Sequence, residues 1–180
     1  VALGGRAFVA YYNSGHLRMV DVTEPLQPRL ALDIAGVKGV TEGWAYSTIT
    51  FTKGGDLVGG GNYKQSFGVA PFTGLDAQNN PTFDFAAPRK VGPGEDPSPR
   101  GMKPIGALAA DRQTGDIYYL AVTATNNKMV PGWGADGTGV GRTTPDGKPL
   151  WFAPSSGGNY MSIGAARTDG RLWVLAGKSF

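Results

Sequence analysis

Seven basic side chains stand in or beside the Gly-rich and Pro-rich connections of this 180-residue chain: Lys38, Lys64, Arg89, Lys90, Arg100, Lys103 and Lys128. Glu42, Glu95, Asp96 and Asp136 oppose them, which leaves a local surplus of three positive charges. Amides and rings accompany them at Asn62, Tyr63, Gln65, Asn126, Asn127, Trp133, Asn159 and Tyr160. Guanidinium and ammonium groups pair with carboxylates, and amides and ring faces suit sugars. The candidate ligand-binding set is therefore Lys64, Arg89, Lys90, Arg100, Lys103, Asn126, Asn127, Trp133 and Tyr160, with an acidic or sugar-like ligand. The bland alternative is that these connections only seal the molecule or pack on a neighbouring chain.

Other chemistries find little support. His16 is the only histidine and there is no cysteine, so three-histidine metal sites, two-histidine iron sites and thiolate sites cannot be built from this chain alone. A histidine beside a turn is an ordinary strand-edge residue; as an axial ligand or a general base His16 would need partners from elsewhere. No HExxH, P-loop or dinucleotide fingerprint is present. Gly59-Gly60-Gly61 follows a strand-like run with no helix after it, which is no phosphate cradle. No catalytic residue and no cofactor is assigned.

These groups must be positioned by strands. Gly 29 and Pro 13 are many and charged residues, at 17%, are few, so turns are frequent and long helices are not expected. No apolar run approaches the roughly 20 residues of a membrane-spanning helix. A net charge of +3 is compatible with an acidic ligand and too mild for a nucleic-acid-binding profile. The composition leans toward a secreted or periplasmic protein. The chain begins at Val1, so a processed product or a piece of something longer is expected.

Arg6–Ile34 sets the unit: a β-branched and aromatic run at Ala7–Tyr12, an alternating run at Leu17–Val22, then Leu30–Ile34 after a Pro-bounded connection. A turn entering a strand recurs as TKGGDLV, RQTGDIYYL and RTDGRLWVL, with Gly55, Gly115 and Gly170 spaced by 60 and 55 residues. Periods of this size with four short strands each predict an all-β chain of β-propeller blades, each a four-stranded antiparallel sheet. The blades are drawn at 1–38, 39–90, 104–154 and 158–180. The first strand of the first blade and the last two of the fourth are not found, so about three and a half blades, part of a larger propeller, are expected. An open sandwich is the alternative. In the propeller frame the connections from the second strand of a blade to the third, and from the fourth to the next blade, emerge on one face; the two long insertions Ala87–Pro104 and Thr125–Thr138 belong to it, and it is the expected site. Trp44, Phe51, Phe83, Phe85, Ile105, Tyr118, Leu120, Trp151, Ile163 and Trp173 are expected to be buried between sheets.

Residues 6–34 resemble the LVIVD-type repeat of bacterial surface and secreted propellers. Leu17-Arg18-Met19-Val20-Asp21-Val22 stands at its LxIVDV core, and Glu24-Pro25 with Gln27-Pro28 matches its DPxNP-like tail. The resemblance implies a fold and carries no catalytic residues. Thr143–Trp151 resembles an Asp-box, without the residue between Asp146 and Gly147. It also resembles the docking motif of quinoprotein propellers, without its upstream Ala-x-Asp; in both families the motif is structural. The leading expectation is an extracytoplasmic binding or assembly module whose partners are other subunits or the rest of a parent chain. The rivals are part of a propeller enzyme, quinoprotein-like or glycan-active, with catalytic groups outside this chain, and a structural surface or filament protein.

Overall fold

A computed structural model describes residues 1–13, 16–35, 48–60, 67–86, 89–91, 108–121, 139–154, 159–165 and 171–177. These form sixteen strands, with no helix among the described residues. The chain is all-β, in antiparallel sheets of two to four strands.

The first sheet is a meander of β1 (Ala2–Leu3), β2 (Arg6–Asn13), β3 (His16–Asp21) and β4 (Arg29–Ala35). Alternation along β3 sends Leu17, Met19 and Asp21 inward and His16, Arg18 and Val20 outward. Opposite them, a register shift between Met19 and Val20 makes room for the extra residue Ala31. The expected absence of a strand before Ala7–Tyr12 is corrected here. Val1 to Leu3 turn back through Gly4-Gly5, pairing Ala2 with Ala7 and Leu3 with Arg6. The N-terminal amine donates to the Phe8 carbonyl, and the Phe8 N–H donates to that of Val1, both at 2.8 Å. Phe8 is buried.

The second sheet has the order β10-β7-β6-β5, from β5 (Thr48–Phe51), β6 (Leu57–Gly60), β7 (Phe67–Ala70) and β10 (Arg89–Val91). Between β7 and β10 lies a separate hairpin, β8 (Phe72–Leu75) with β9 (Pro81–Phe83). The run Phe67–Leu75 is thus cut at Pro71, which has no N–H for the ladder. Its partner is cut as well. Val69 pairs with Arg89 and Phe72 with Phe83. Three positions separate the first residues and six the second, so the returning arm carries three extra residues. β9 is therefore only the first half of that arm. Arg89–Val91, placed by the sequence in the insertion Ala87–Pro104, is the other half.

Leu3, Phe8, Leu17, Met19 and Ala31 from the first sheet share one apolar core with Phe51, Leu57 and Ala70 of the second. The hairpin closes its rim: Phe83 sits among Phe51, Phe72 and Phe85, with ring centroids 6.3, 5.8 and 5.7 Å away and all pairs tilted.

The third sheet runs in chain order through β11 (Leu108–Ala110), β12 (Ile117–Ala121), β13 (Gly139–Thr143) and β14 (Pro149–Pro154). Its first strand lies against β5, where the Leu108 N–H donates to Thr48 Oγ1 at 3.3 Å. Its other face gathers Ala109, Tyr118, Leu120 and Val140 beneath Leu172. That leucine belongs to the last pair, β15 (Asn159–Ala165) with β16 (Leu172–Gly177). Ile117, Tyr118, Tyr119 and Leu120 are all buried, and consecutive strand residues face opposite ways, so both faces of this sheet are covered.

Of the ten expected core residues, Phe51, Tyr118 and Leu120 are buried, and Phe83 and Phe85 partly so. Trp44, Ile105 and the side chain of Ile163 lie outside the described residues. Two expectations are corrected. Trp151 is 39% exposed because β14 is an outermost strand, where its ring leans on Tyr118 at 6.0 Å. Trp173 is 67% exposed because Leu172, its neighbour along β16, takes the face toward the third sheet.

Tyr119 pairs across the ladder with Gly141, and its ring lies over the glycine. A Cβ there would stand 2.0 Å from the Tyr119 Cζ. Gly141→Ala is expected to cost about 1–3 kcal/mol by overpacking. Shortening the ring should recover part of that, so Gly141→Ala with Tyr119→Leu should lose less stability than the two single changes together. Urea unfolding measures all three; strict additivity would mean that the ring does not depend on the missing side chain.

Candidate functional site

Three turns share one closure. At Thr52–Asp56, Asp76–Asn80 and Thr144–Lys148 the first residue's N–H donates to the fifth residue's carbonyl, at 2.9 to 3.0 Å. Its side-chain oxygen in turn accepts the fifth N–H. The fourth residue is left-handed in each: Gly55 at φ 96, Asn79 at φ 60 and Gly147 at φ 96. Thr or Asp first with Gly or Asn fourth is therefore a physical requirement of the turn. The turn at Asp111–Asp116 is one residue longer, and Lys53 Nζ donates to its Gln113 carbonyl at 2.8 Å. This bond joins a turn of the second sheet to a turn of the third.

Arginine–carboxylate clamps secure the same regions. Asp21, 3% exposed, accepts from the Thr23 hydroxyl and N–H, from Arg6 Nε at 2.8 Å and from Arg29 Nη2 at 3.3 Å. Arg29 also donates to Asn80 Oδ1 at 2.6 Å, tying the first sheet to the β8–β9 hairpin. The Thr23 hydroxyl, then its N–H and Arg6, hold the Asp21 carboxyl well below the usual range against the opposing effect of burial. In the third sheet Arg142 Nε donates to Asp116 at 2.9 Å, and its guanidinium carbon lies 5.3 Å from the Tyr118 ring centre. Burial pushes the Asp111 carboxyl up, but the N–H groups of Gln113 and Thr114 outweigh it and the group sits low. These clamps build the frame; their charges are already used.

The outer face of the first sheet is different. Across three strands in register, Val9, Val20 and Leu30 form an apolar row, with Val9 52% and Leu30 55% exposed. Beside it runs the row Tyr11, Arg18 and Asp33. Asp33 accepts from Arg18 Nε at 3.0 Å and meets His16 Nδ1 at 2.6 Å. The bond from His16, then that from Arg18, lowers the Asp33 carboxyl. A functional His16 was expected to need partners from outside this chain; within it, the carboxylate of Asp33 on the next strand meets the ring. Only the register, set by the bulge at Ala31, brings Asp33 into reach, and no motif announces it.

Of the residues assigned to the ligand, Lys64, Arg100, Lys103, Asn126, Asn127 and Trp133 lie outside the described residues. Arg89 and Lys90 fall in β10 and Tyr160 in β15, with only their backbones described. Among the described residues no group of three His, Cys, Asp or Glu could hold a metal ion, and no helix is long and apolar enough to cross a membrane. No family model matches the chain, and a search of curated proteins finds no match.

Asp21, Asp33, Asp76 and Asp111 all sit below the ordinary carboxylate range, about 4 in a free chain. Their contribution to stability is complete above that value and is lost as pH falls through it toward the lower native values. The carboxylate part of the urea midpoint should therefore be level above about pH 5 and drop below about pH 4. Asp21→Asn should lower stability at neutral pH and make the acid limb shallower. An unchanged acid limb would remove Asp21 from the account.

Proposed function

We propose that this chain is a run of β-propeller blades that acts as a non-catalytic binding and assembly module outside the cytoplasm. The observation that carries the reading is the double-faced burial of β12 within a chain-order stack of antiparallel sheets. A propeller stacks its blades face to face in this way, with turns gathered at one end. The Lys53 bond to Gln113 supports that arrangement, since it joins a turn of the second sheet to a turn of the third, and the Arg29 bond to Asn80 ties the start of β4 to the turn of the β8–β9 hairpin. The resemblance of residues 6–34 to the LVIVD-type repeat points the same way. Turns clamped this tightly leave little to offer a ligand, so the proposed site is the opposite face, at the long connections, with Lys64, Arg89, Lys90, Arg100, Lys103, Asn126, Asn127, Trp133 and Tyr160. The ligand class is acidic or sugar-like.

A uronic-acid oligosaccharide and a neutral oligosaccharide of the same length are the probes. The acidic one should bind more tightly, and less so as salt is raised. Changing Arg89, Arg100 and Lys103 together to Ala should weaken its binding several-fold and flatten the salt dependence. Unchanged affinity at low salt would reject the electrostatic site, and failure of both sugars to bind would reject the ligand class.

A further inference from the structure

One diagonal is charged differently in each of the first three sheets. In the first, Phe8 pairs with Asp21, and Arg6, two residues back on β2, donates from Nε to the Asp21 carboxylate at 2.8 Å. In the third, Tyr118 pairs with Arg142, and Asp116, two residues back at the entry to β12, accepts from Arg142 Nε at 2.9 Å. The two clamps are the same cross-strand diagonal with the charges exchanged. In the second sheet Val58 pairs with Val69, so the matching groups are Asp56 and an apolar side chain. There Asp56 accepts the Phe72 N–H at 3.0 Å instead. From second strand to third, the three sheets are therefore positive–negative, negative–neutral and negative–positive.

The chain leaves a choice for these charges to make. β12 ends at Ala121 and β13 begins at Gly139, so no tight turn forces the two strands together. Chains built of similar strands are prone to pairing the wrong ones. Exchanging β3 with β13 would set Arg6 against Arg142 and Asp116 against Asp21. Exchanging β3 with β7 would set Asp56 against Asp21 and leave Arg6 facing Val69. Exchanging β7 with β13 would match Asp56 to Arg142 but leave Asp116 facing Val69. Asp21 and Asp116 are both buried, and in every exchange at least one of them loses its diagonal arginine. A buried carboxylate stripped of its partner is strongly destabilising.

We propose that this diagonal is a pairing code, whose charges select which third strand joins which second strand as the chain folds. The code goes beyond the proposed function and is independent of any ligand. Its rival is a pair of clamps that only add stability, with their polarity of no consequence.

The test reverses the third sheet in the 180-residue chain. That sheet is chosen because Asp21 also holds Arg29 at 3.3 Å, whereas Arg142 meets its second carboxylate, Asp111, only at 4.0 Å. Asp116→Lys with Arg142→Glu gives the third sheet the polarity of the first; Asp116→Asn with Arg142→Gln removes its charges. Both are refolded by dilution from urea beside the parent chain. Hydrogen exchange over β2 and β12, read by mass spectrometry, counts the populations, and light scattering gives their mass. The reversed pair makes the exchange of β3 with β13 charge-matched, so a second population several-fold larger than in the parent is expected. The neutral pair still leaves Arg6 and Asp21 without partners in that exchange. It should refold as a single population even though its urea midpoint is lower. A misfolded share that follows the urea midpoint across the three chains, rather than polarity, overturns the proposal. So does a reversed pair that refolds as cleanly as the parent, or one that forms no protected strands at all.

Discussion

The structure depends on burying both faces of the third sheet. Ile117 and Tyr119 point one way, Tyr118 and Leu120 the other, and all four are buried. A sheet of this kind cannot stand with one side in water, so it must be a middle layer. Two large rings side by side on β12 need room on both sides. On one side the room comes from Gly141, over which Tyr119 lies, and Gly139, against which Phe152 packs. Small residues on β13 thus leave room for rings from the strands on either side of it, and these glycines are packing positions rather than loop composition.

Once sheets are stacked, their ends must be kept in step. Five-residue turns with a left-handed fourth residue bring the chain back over a short distance; Lys53 bonds from one turn to the next, and Arg29 from β4 to the hairpin turn at Asn80. The buried carboxylates Asp21 and Asp116 are held by arginines on neighbouring strands of the same sheet, which orders the turn without leaving a charge unpaired. The electrostatics of this end are therefore structural.

Much of the strand pattern was legible because the alternation is strict where one face is buried, as along Leu17, Met19 and Asp21. The turns were legible because their Gly, Asn, Asp and Thr residues answer a backbone need. β1 was not, since two residues carry no periodicity and only pairing with Ala7 and Arg6 defines them. The second half of the returning arm at Arg89–Val91 was hidden because that arm is three residues longer than its partner, which no hydrophobic pattern marks. Trp151 and Trp173 misled because size suggests burial, whereas exposure here follows from which strand is outermost and which side of β16 faces the stack. The His16–Asp33 pair depends on a register shift, and the binding set in the long connections rests on sequence alone.

The central claim is that successive sheets lie face to face with their turns in contact, and the absence of native cysteine makes it directly measurable. Lys53 and Gln113 sit on turns of different sheets, 60 residues apart in the chain and joined by one hydrogen bond. With both changed to Cys, mild oxidation or a short bis-maleimide should link the two thiols within one chain rapidly and in high yield, while the fold keeps its urea midpoint. If both thiols react freely with a monofunctional reagent yet never link to each other in the folded protein, the stack described here is contradicted.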